Sequence, residues 1–203
     1  MRVHSAEFVK SATEAKGWPA EGPPEIAFVG RSNVGKSSLL GALMGRKGLV
    51  RVSSTPGRTR LINFFDLQVS ARKGVDPWPI RFVDLPGFGY AKVSKAERAS
   101  WRPFIQEYLE ARKSLVGCVL LVDARRGAEI DEQELSHFMT DHGKRVIPVL
   151  TKSDKLSKHE RVPVADKTKK ALGHAPEIVS ATEGMGLDSL WERLFVALGP
   201  PRR

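Results

Sequence analysis

Short, nearly continuous apolar runs recur along this chain, separated by stretches with helical spacing. Residues 25–30, EIAFVG, form one such run and end in glycine. LINFFDLQVS (61–70) and IRFVDLP (80–86) flank a polar connector, ARKGVDPWP, a pairing that predicts an antiparallel hairpin. VGCVLLVDA (116–124), VIPVLTK (146–152) and PEIVSA (176–181) are further strands. Apolar runs of this kind suit the doubly covered strands of a mostly parallel sheet. Ser94 and Glu97 have the spacing of a capping box at a helix start. Trp101, Phe104, Ile105, Tyr108 and Leu109 then share one helix face, which reads as core. Pro103 interrupts that helix and predicts a kink or a restart near Ser100. LDSLWERLFVALG (187–199) is a closing amphipathic helix, stopped by Gly199 and Pro200.

This order predicts an α/β fold: a doubly wound, three-layer sandwich around a mostly parallel sheet of about six strands with one antiparallel edge strand. The domain spans residues 24–199, with residues 1–23 an N-terminal extension packing on it and 200–203 a tail. The length, 203 residues, fits one domain with a small appendage.

Composition narrows the classes. No apolar run is long enough to span a membrane, and MRVHSAEFVKSATEAKGWP has no apolar signal core. The single cysteine, Cys118, excludes an internal disulfide and fits a reducing cytoplasm. The five histidines are scattered, which argues against zinc. The net charge of +10 is unevenly distributed. Residues 31–60 carry seven Lys/Arg and no acid, and residues 144–173 carry nine Lys/Arg against three acids. Two basic segments suggest a polyanionic partner such as RNA, or a solvated basic surface.

The strongest chemical signal is GRSNVGKS, Gly30 to Ser37, between a strand and a helix. It matches a phosphate-binding loop: glycines let the backbone wrap phosphates, Lys36 reaches the β- and γ-phosphates, and the Ser37 hydroxyl suits Mg²⁺. The loop residues Gly30, Arg31, Ser32, Asn33, Val34, Gly35, Lys36, Ser37 and Ser38 are therefore the first nucleotide-contact candidates. DLPG, Asp84-Leu85-Pro86-Gly87, ends a strand. Asp84 is placed to hold Mg²⁺ and the Gly87 amide to sense a γ-phosphate. Phe88 follows, where the best-studied GTPases carry a water-orienting Gln. TKSD, Thr151-Lys152-Ser153-Asp154, also ends a strand. A carboxylate there accepts two hydrogen bonds from guanine, which adenine cannot offer, while Lys152 packs its stem on the base. SAT, Ser180 to Thr182, follows the last strand and offers backbone toward the guanine carbonyl, with Val179, Ser180 and Ala181 as the contact candidates there. In SSTPGRTR (53–60), either Thr59 or Thr55 is a candidate Mg²⁺ and γ-phosphate contact, Thr59 being closer to the next strand.

PEIAFVGRSNVGKSSLLGAL, STPGRTRLINFF, FVDLPGFGYAKV, TKSDKL and SATEGMGLDSL together resemble the EngB (YihA/YsxC) GTPases of the TrmE–Era–EngA–EngB–Septin-like group. The resemblance runs from about Pro24 to Leu198. It implies a Ras-like fold, binding of GTP or GDP with Mg²⁺, and slow hydrolysis stimulated by ribosomal particles. It also implies a cytoplasmic, monomeric protein with no membrane partner. Its partner would be the large ribosomal subunit or its precursor, in late assembly, with a link to cell division and septation. It supports Ser37 and Thr59 as metal ligands, Lys36, Thr59 and Gly87 as catalytic, and Gly57, Arg58, Arg60 and Leu61 as further contacts. It points to Asn33 as a potassium contact, the alternative being a loop-stabilising side chain. Thr151 stands where the general GTPase pattern has Asn. Thr is usual in the family, and relative to the general pattern it is expected to weaken one buried tie between the base loop and the phosphate loop, with modest nucleotide affinity.

Overall fold

Because the apolar runs are buried on both faces, the chain builds a central sheet with helices on either side. In the computed structural model, residues 1–46, 61–88 and 95–199 are described, residues 95–102 by backbone alone. The strands are β1 (Arg2–Ala12), β2 (Glu25–Gly30), β3 (Ile62–Ser70), β4 (Trp78–Asp84), β5 (Leu115–Asp123), β6 (Arg145–Thr151) and β7 (Glu177–Ile178). The helices are α1 (Lys36–Met44), α2 (Lys95–Ala111), α3 (Ile130–Asp141), α4 (Lys158–Leu172) and α5 (Leu187–Leu198). The strands lie in the order β1-β3-β4-β2-β5-β6-β7. β2, β4, β5, β6 and β7 pair in parallel, while β3 runs antiparallel to β4 and β1 antiparallel to β3.

The α/β class and the mostly parallel sheet match the expectation, and so does the hairpin. The sheet has seven strands, because the N-terminal segment supplies β1 as its antiparallel edge. Two register shifts, between Val3 and Ser5 and between Phe8 and Lys10, break the simple alternation that would have marked this strand in sequence. α2 runs through Pro103 as one helix from Lys95 to Ala111, so the chain does not restart near Ser100. Ser94 lies outside the described residues, as does the side chain of Trp101. Ile105, Tyr108 and Leu109 are fully buried, as their spacing requires.

Two apolar clusters sandwich the sheet. One joins Phe28, Phe65 and Phe82 to Leu39, Leu40 and Leu43 of α1 and to Leu190, Trp191 and Leu194 of α5. Trp191 stacks on Phe82 with ring centroids 5.5 Å apart. The other joins Val29, Phe64 and Val83 to α2, to Leu135 and Met139 of α3 and to Leu172 of α4. Cys118 belongs to this second cluster, and burial pushes its thiol up to about 12, against the pull of Lys144.

At the start of β2 a carboxylate is buried. Glu25 is fully enclosed, and Arg112 and Arg81 beside it are nearly so. Arg112 Nη2 and Nε donate to Glu25 Oε1 and Oε2 at 2.5 and 2.9 Å. Arg81 Nη1 donates to Oε1 at 3.2 Å, and the Tyr108 hydroxyl donates to Oε2 at 2.5 Å. Burial first, then the Glu25 charge, pushes the Tyr108 hydroxyl far above the ordinary phenol range. Both arginines also donate to the Ala20 carbonyl, so the network fastens the β1–β2 connector to β2, β4 and α2. A buried pair that loses one partner leaves an uncompensated charge, at a cost of about 3–5 kcal/mol. Glu25→Gln is expected to lower unfolding free energy by about that amount in urea titrations. Retention of wild-type stability would show that the two arginines need no counter-charge.

Candidate nucleotide site

The parallel strands all end on one side of the sheet, and among the described residues the phosphate loop, DLPG, TKSD and residues 179–181 sit at such ends. In open α/β sheets this carboxyl edge is where ligands bind. The loop after β2 must turn sharply into α1. Gly35, the residue before α1, adopts φ 103°, a left-handed conformation that disfavours any side chain. Asn33 is also left-handed, at φ 62°, a conformation Asn tolerates better than most residues. The Ser37 and Lys36 backbone opens α1, so the loop N–H groups and the helix start face one region.

Asp84 ends β4, opposite Phe28 of β2. Its carboxylate is almost enclosed and forms an ion pair with Lys36 through Oδ1. Its second oxygen accepts a hydrogen bond from Asn63 Nδ2 at 3.1 Å. Leu85, Pro86 and Gly87 follow. The Leu85 amide donates to the Phe28 carbonyl at 3.0 Å. A Cβ on Gly87 would lie 3.1 Å from Ser32 Oγ and 3.3 Å from the Ser32 backbone, so only glycine fits closely against the phosphate loop. Ser32 Oγ is itself buried, with no hydrogen-bond partner among the described residues.

Phe88 does not face the site. Its ring is buried in the cluster under α2, and its backbone is zipped to the phosphate loop. The Phe88 amide donates to Gly30 O at 3.2 Å, and the Ser32 amide donates to Phe88 O at 2.8 Å. The aromatic side chain at the Gln position is therefore a core residue, which sequence spacing alone did not reveal.

The base loop is tied to the phosphate loop twice. The Thr151 hydroxyl donates to Val34 O at 2.6 Å, and Lys152 Nζ donates to Asn33 O at 2.5 Å. The buried tie between the two loops is thus present, made by the Thr hydroxyl directly to the loop carbonyl. Lys152 is left-handed at φ 56° and also pairs with Asp123 at 3.0 Å. Burial raises the Asp123 carboxyl, but hydrogen bonds from Arg125 and Lys152 outweigh it and hold it well below the ordinary value. Its stabilisation is thus full above the usual carboxylate range and is lost only as pH falls through the lowered value.

Asp154 accepts a hydrogen bond from Ser180 Oγ at 2.8 Å and pairs with Lys155 at 3.2 Å. The Ser180 bond, then Lys155, lowers its pKa. Ser153 donates from its backbone to Val179 O at 3.3 Å, which seats Val179, Ser180 and Ala181 beside TKSD. The structure brings together Gly30 to Ser38, Leu61, Asp84 to Gly87, Thr151 to Asp154 and Val179 to Ala181 at one edge. Gly57, Arg58, Thr59, Arg60 and the rival Thr55 lie outside the described residues.

Sequence reading missed Asp123 and Asn63. Asp123 stood in plain sight as the acid ending an apolar run. Asn63 gave no signal, since one polar residue in a strand reads as an outward position. It also missed the partners of Arg31, whose guanidinium donates to Glu129 at 3.0 Å and Asp131 at 3.3 Å at the start of α3.

The described basic segment, residues 144–173, divides in two. Lys144 and Arg145 donate to backbone carbonyls, as does Arg161, while Lys152 and Lys155 pair with acids. Lys158, Lys167, Lys169 and Lys170 remain exposed on α4. Among the described residues, no helix is long and apolar enough to cross a membrane.

This fold, with a phosphate loop, DLPG and TKSD at the carboxyl edge of one sheet, defines the class of P-loop GTPases. A family described as 50S ribosome-binding GTPase matches residues 25–152. Relatives named probable GTP-binding protein EngB are 50% identical over 197 residues in Anaeromyxobacter dehalogenans (strain 2CP-C) and 43% identical over 206 in Myxococcus xanthus. The first alignment covers 96% of this chain and 91% of the relative, the second 100% and 99%. The chain belongs to the EngB family of GTP-binding proteins. In shape it is similar to a crystal structure titled as a probable GTP-binding protein engB (TM-score 0.64, 24% identity), covering 86% of this chain and 98% of that one. It is also similar to the G domain of the T. maritima FeoB iron transporter (TM-score 0.56, 26% identity), covering 87% and 99%.

Thr151→Val keeps the shape but leaves the Val34 carbonyl without its short bond. It is expected to destabilise the protein by about 1–2 kcal/mol and to weaken guanine nucleotide binding, read by thermal melts and a binding titration. Unchanged affinity would detach the Thr151 tie from the site.

Proposed function

We propose that this chain is a slow GTP-hydrolysing switch that docks on the large ribosomal subunit or its precursor during late assembly. In this reading it works in the cytoplasm as a monomer, and normal cell division and septation depend on it. The observation that carries the ribosomal part is the four exposed lysines of α4, Lys158, Lys167, Lys169 and Lys170, none of them ion-paired among the described residues although Glu160 and Asp166 share the helix. Exposed lysines of this kind fit a phosphate backbone, and the matching family is described as ribosome-binding.

Each site residue takes a role from its place. Lys36 leaves Asp84 and contacts the β- and γ-phosphates, as P-loop lysines do. The unpartnered Ser32 hydroxyl and the backbone of Gly30 to Ser38 fit anionic oxygens. Ser37 and Thr59 hold Mg²⁺, with Asp84 behind them. These hard oxygen donors suit that ion, and GRSNVGKS, SSTPGRTR and DLPG contain no Cys or His. When bound, Mg²⁺ supplies positive charge beside the β- and γ-phosphate oxygens. The Gly87 amide contacts the γ-phosphate, and Gly57, Arg58, Thr59, Arg60 and Leu61 are the further nucleotide contacts that the family resemblance implies. Asp154, already held ionised by Ser180 and Lys155, accepts from the guanine ring N–H and amine. With Phe88 buried, the attacking water is oriented by another group: a potassium ion beside Asn33, a residue of the 53–60 loop, or the ribosome.

Two measurements test this. Asp154→Asn is expected to lose GTP binding and gain xanthosine nucleotide binding. Retained GTP affinity would remove Asp154 from base recognition. Neutralising Lys158, Lys167, Lys169 and Lys170 together is expected to weaken co-sedimentation with purified subunits. It should also reduce the slope of log K against log salt by roughly 3. An unchanged slope would return α4 to an ordinary solvated face, and GTP turnover that subunits do not alter would favour a nucleotide-gated RNA-binding module.

A further inference from the structure

Three polar side chains line up across three neighbouring strands. Ser11 of β1 stands opposite Asn63 of β3, and Asn63 stands opposite Asp84 of β4. Directly opposed residues on antiparallel strands bring their side chains within reach on one face. Ser11 Oγ donates to Asn63 Oδ1 at 2.6 Å, and Asn63 Nδ2 donates to Asp84 Oδ2 at 3.1 Å. The direction is chemically fixed. An ionised carboxylate only accepts, so Asn63 must offer Asp84 its NH₂ group and keep its carbonyl for Ser11. The Ser11 hydroxyl must then be the donor. Asp84 Oδ1 is held by Lys36.

We infer that Asn63, itself oriented by Ser11, is the positioning residue for the Asp84 carboxylate. The inference rests on reading Asp84 as part of the Mg²⁺ site. Once Lys36 turns to the phosphates, Asn63 is the side-chain partner, among the described residues, that still fixes the plane of the carboxylate. It pins Oδ2 and leaves Oδ1, the oxygen that Lys36 releases, to the metal site. Edge strand β1, which carries no nucleotide motif, thereby takes part in the metal site. Groups that orient a metal-site carboxylate this way change metal affinity by about 10–100-fold when removed. A ladder contact that only joined strands would change stability alone.

The discriminating experiment follows release of N-methylanthraniloyl-GDP across a Mg²⁺ titration, alongside thermal melts. Asn63→Leu is expected to raise the Mg²⁺ concentration that half-maximally slows release by about tenfold. Ser11→Ala should shift it in the same direction by less, and Ser11→Thr should restore it. Ser11→Ala keeps the test open should Asn63→Leu fail to fold. Asp84→Asn separates the two layers of the argument. If it abolishes the Mg²⁺ effect while Asn63→Leu and Ser11→Ala lower only the melting temperature, the positioning role is overturned and the site reading stands. If Asp84→Asn leaves the Mg²⁺ effect intact, the site reading falls, and this inference with it.

Discussion

One buried charge organises the end of the sheet away from the nucleotide loops. Glu25 is enclosed, and Arg81, Arg112 and Tyr108 surround it with donors to both carboxylate oxygens. Those partners come from β4 and α2, and the arginines continue to the connector after β1. β2 is thereby anchored at its entry, and β2 is the strand whose exit becomes the phosphate loop. The same two strands, β2 and β4, carry both the buried ion network and, at their other ends, Gly30 and Asp84. Buried ionic networks contribute less to net stability than well-packed apolar groups would, but they tolerate few alternative arrangements. Here the arrangement joins β2 and β4 at the same register in which Glu25 faces Arg81 and, three residues on, Phe28 faces Asp84.

At the opposite end, the loops are held to one another as much as to their own strands. Thr151 and Lys152 bind the phosphate loop, Ser180 binds Asp154, and Phe88 is bridged to Arg31 and Ser32. Each tie links motifs far apart in sequence, and each uses a backbone carbonyl or amide at one end or a short side chain at the other. Such contacts leave little slack. A site assembled in this way keeps its base pocket and phosphate pocket in fixed relation.

Much of this was legible in the sequence, for specific reasons. Buried parallel strands must be apolar on both faces, so β2, β5 and β6 announced themselves. The phosphate loop did so because its backbone demands glycine at position 35 and its chemistry demands Lys36. β1 stayed hidden because two bulges shift which residues point inward. The Val34 partner of Thr151 stayed hidden because it lies 117 residues away, where no local rule reaches. Asn63 was silent because its meaning depends on two other strands being laid beside it.

Phe88 carries a consequence for motion. It is the next residue after Gly87, and its ring is 1% exposed among the side chains beneath α2. Fully burying a phenylalanine is worth about 1.5–3 kcal/mol. Any displacement of Gly87 toward a ligand therefore pulls on an anchored ring. The loop is geared to the helix packing through that anchor. It behaves as a sprung lever with a preferred rest position, and the packing under α2 sets its stiffness.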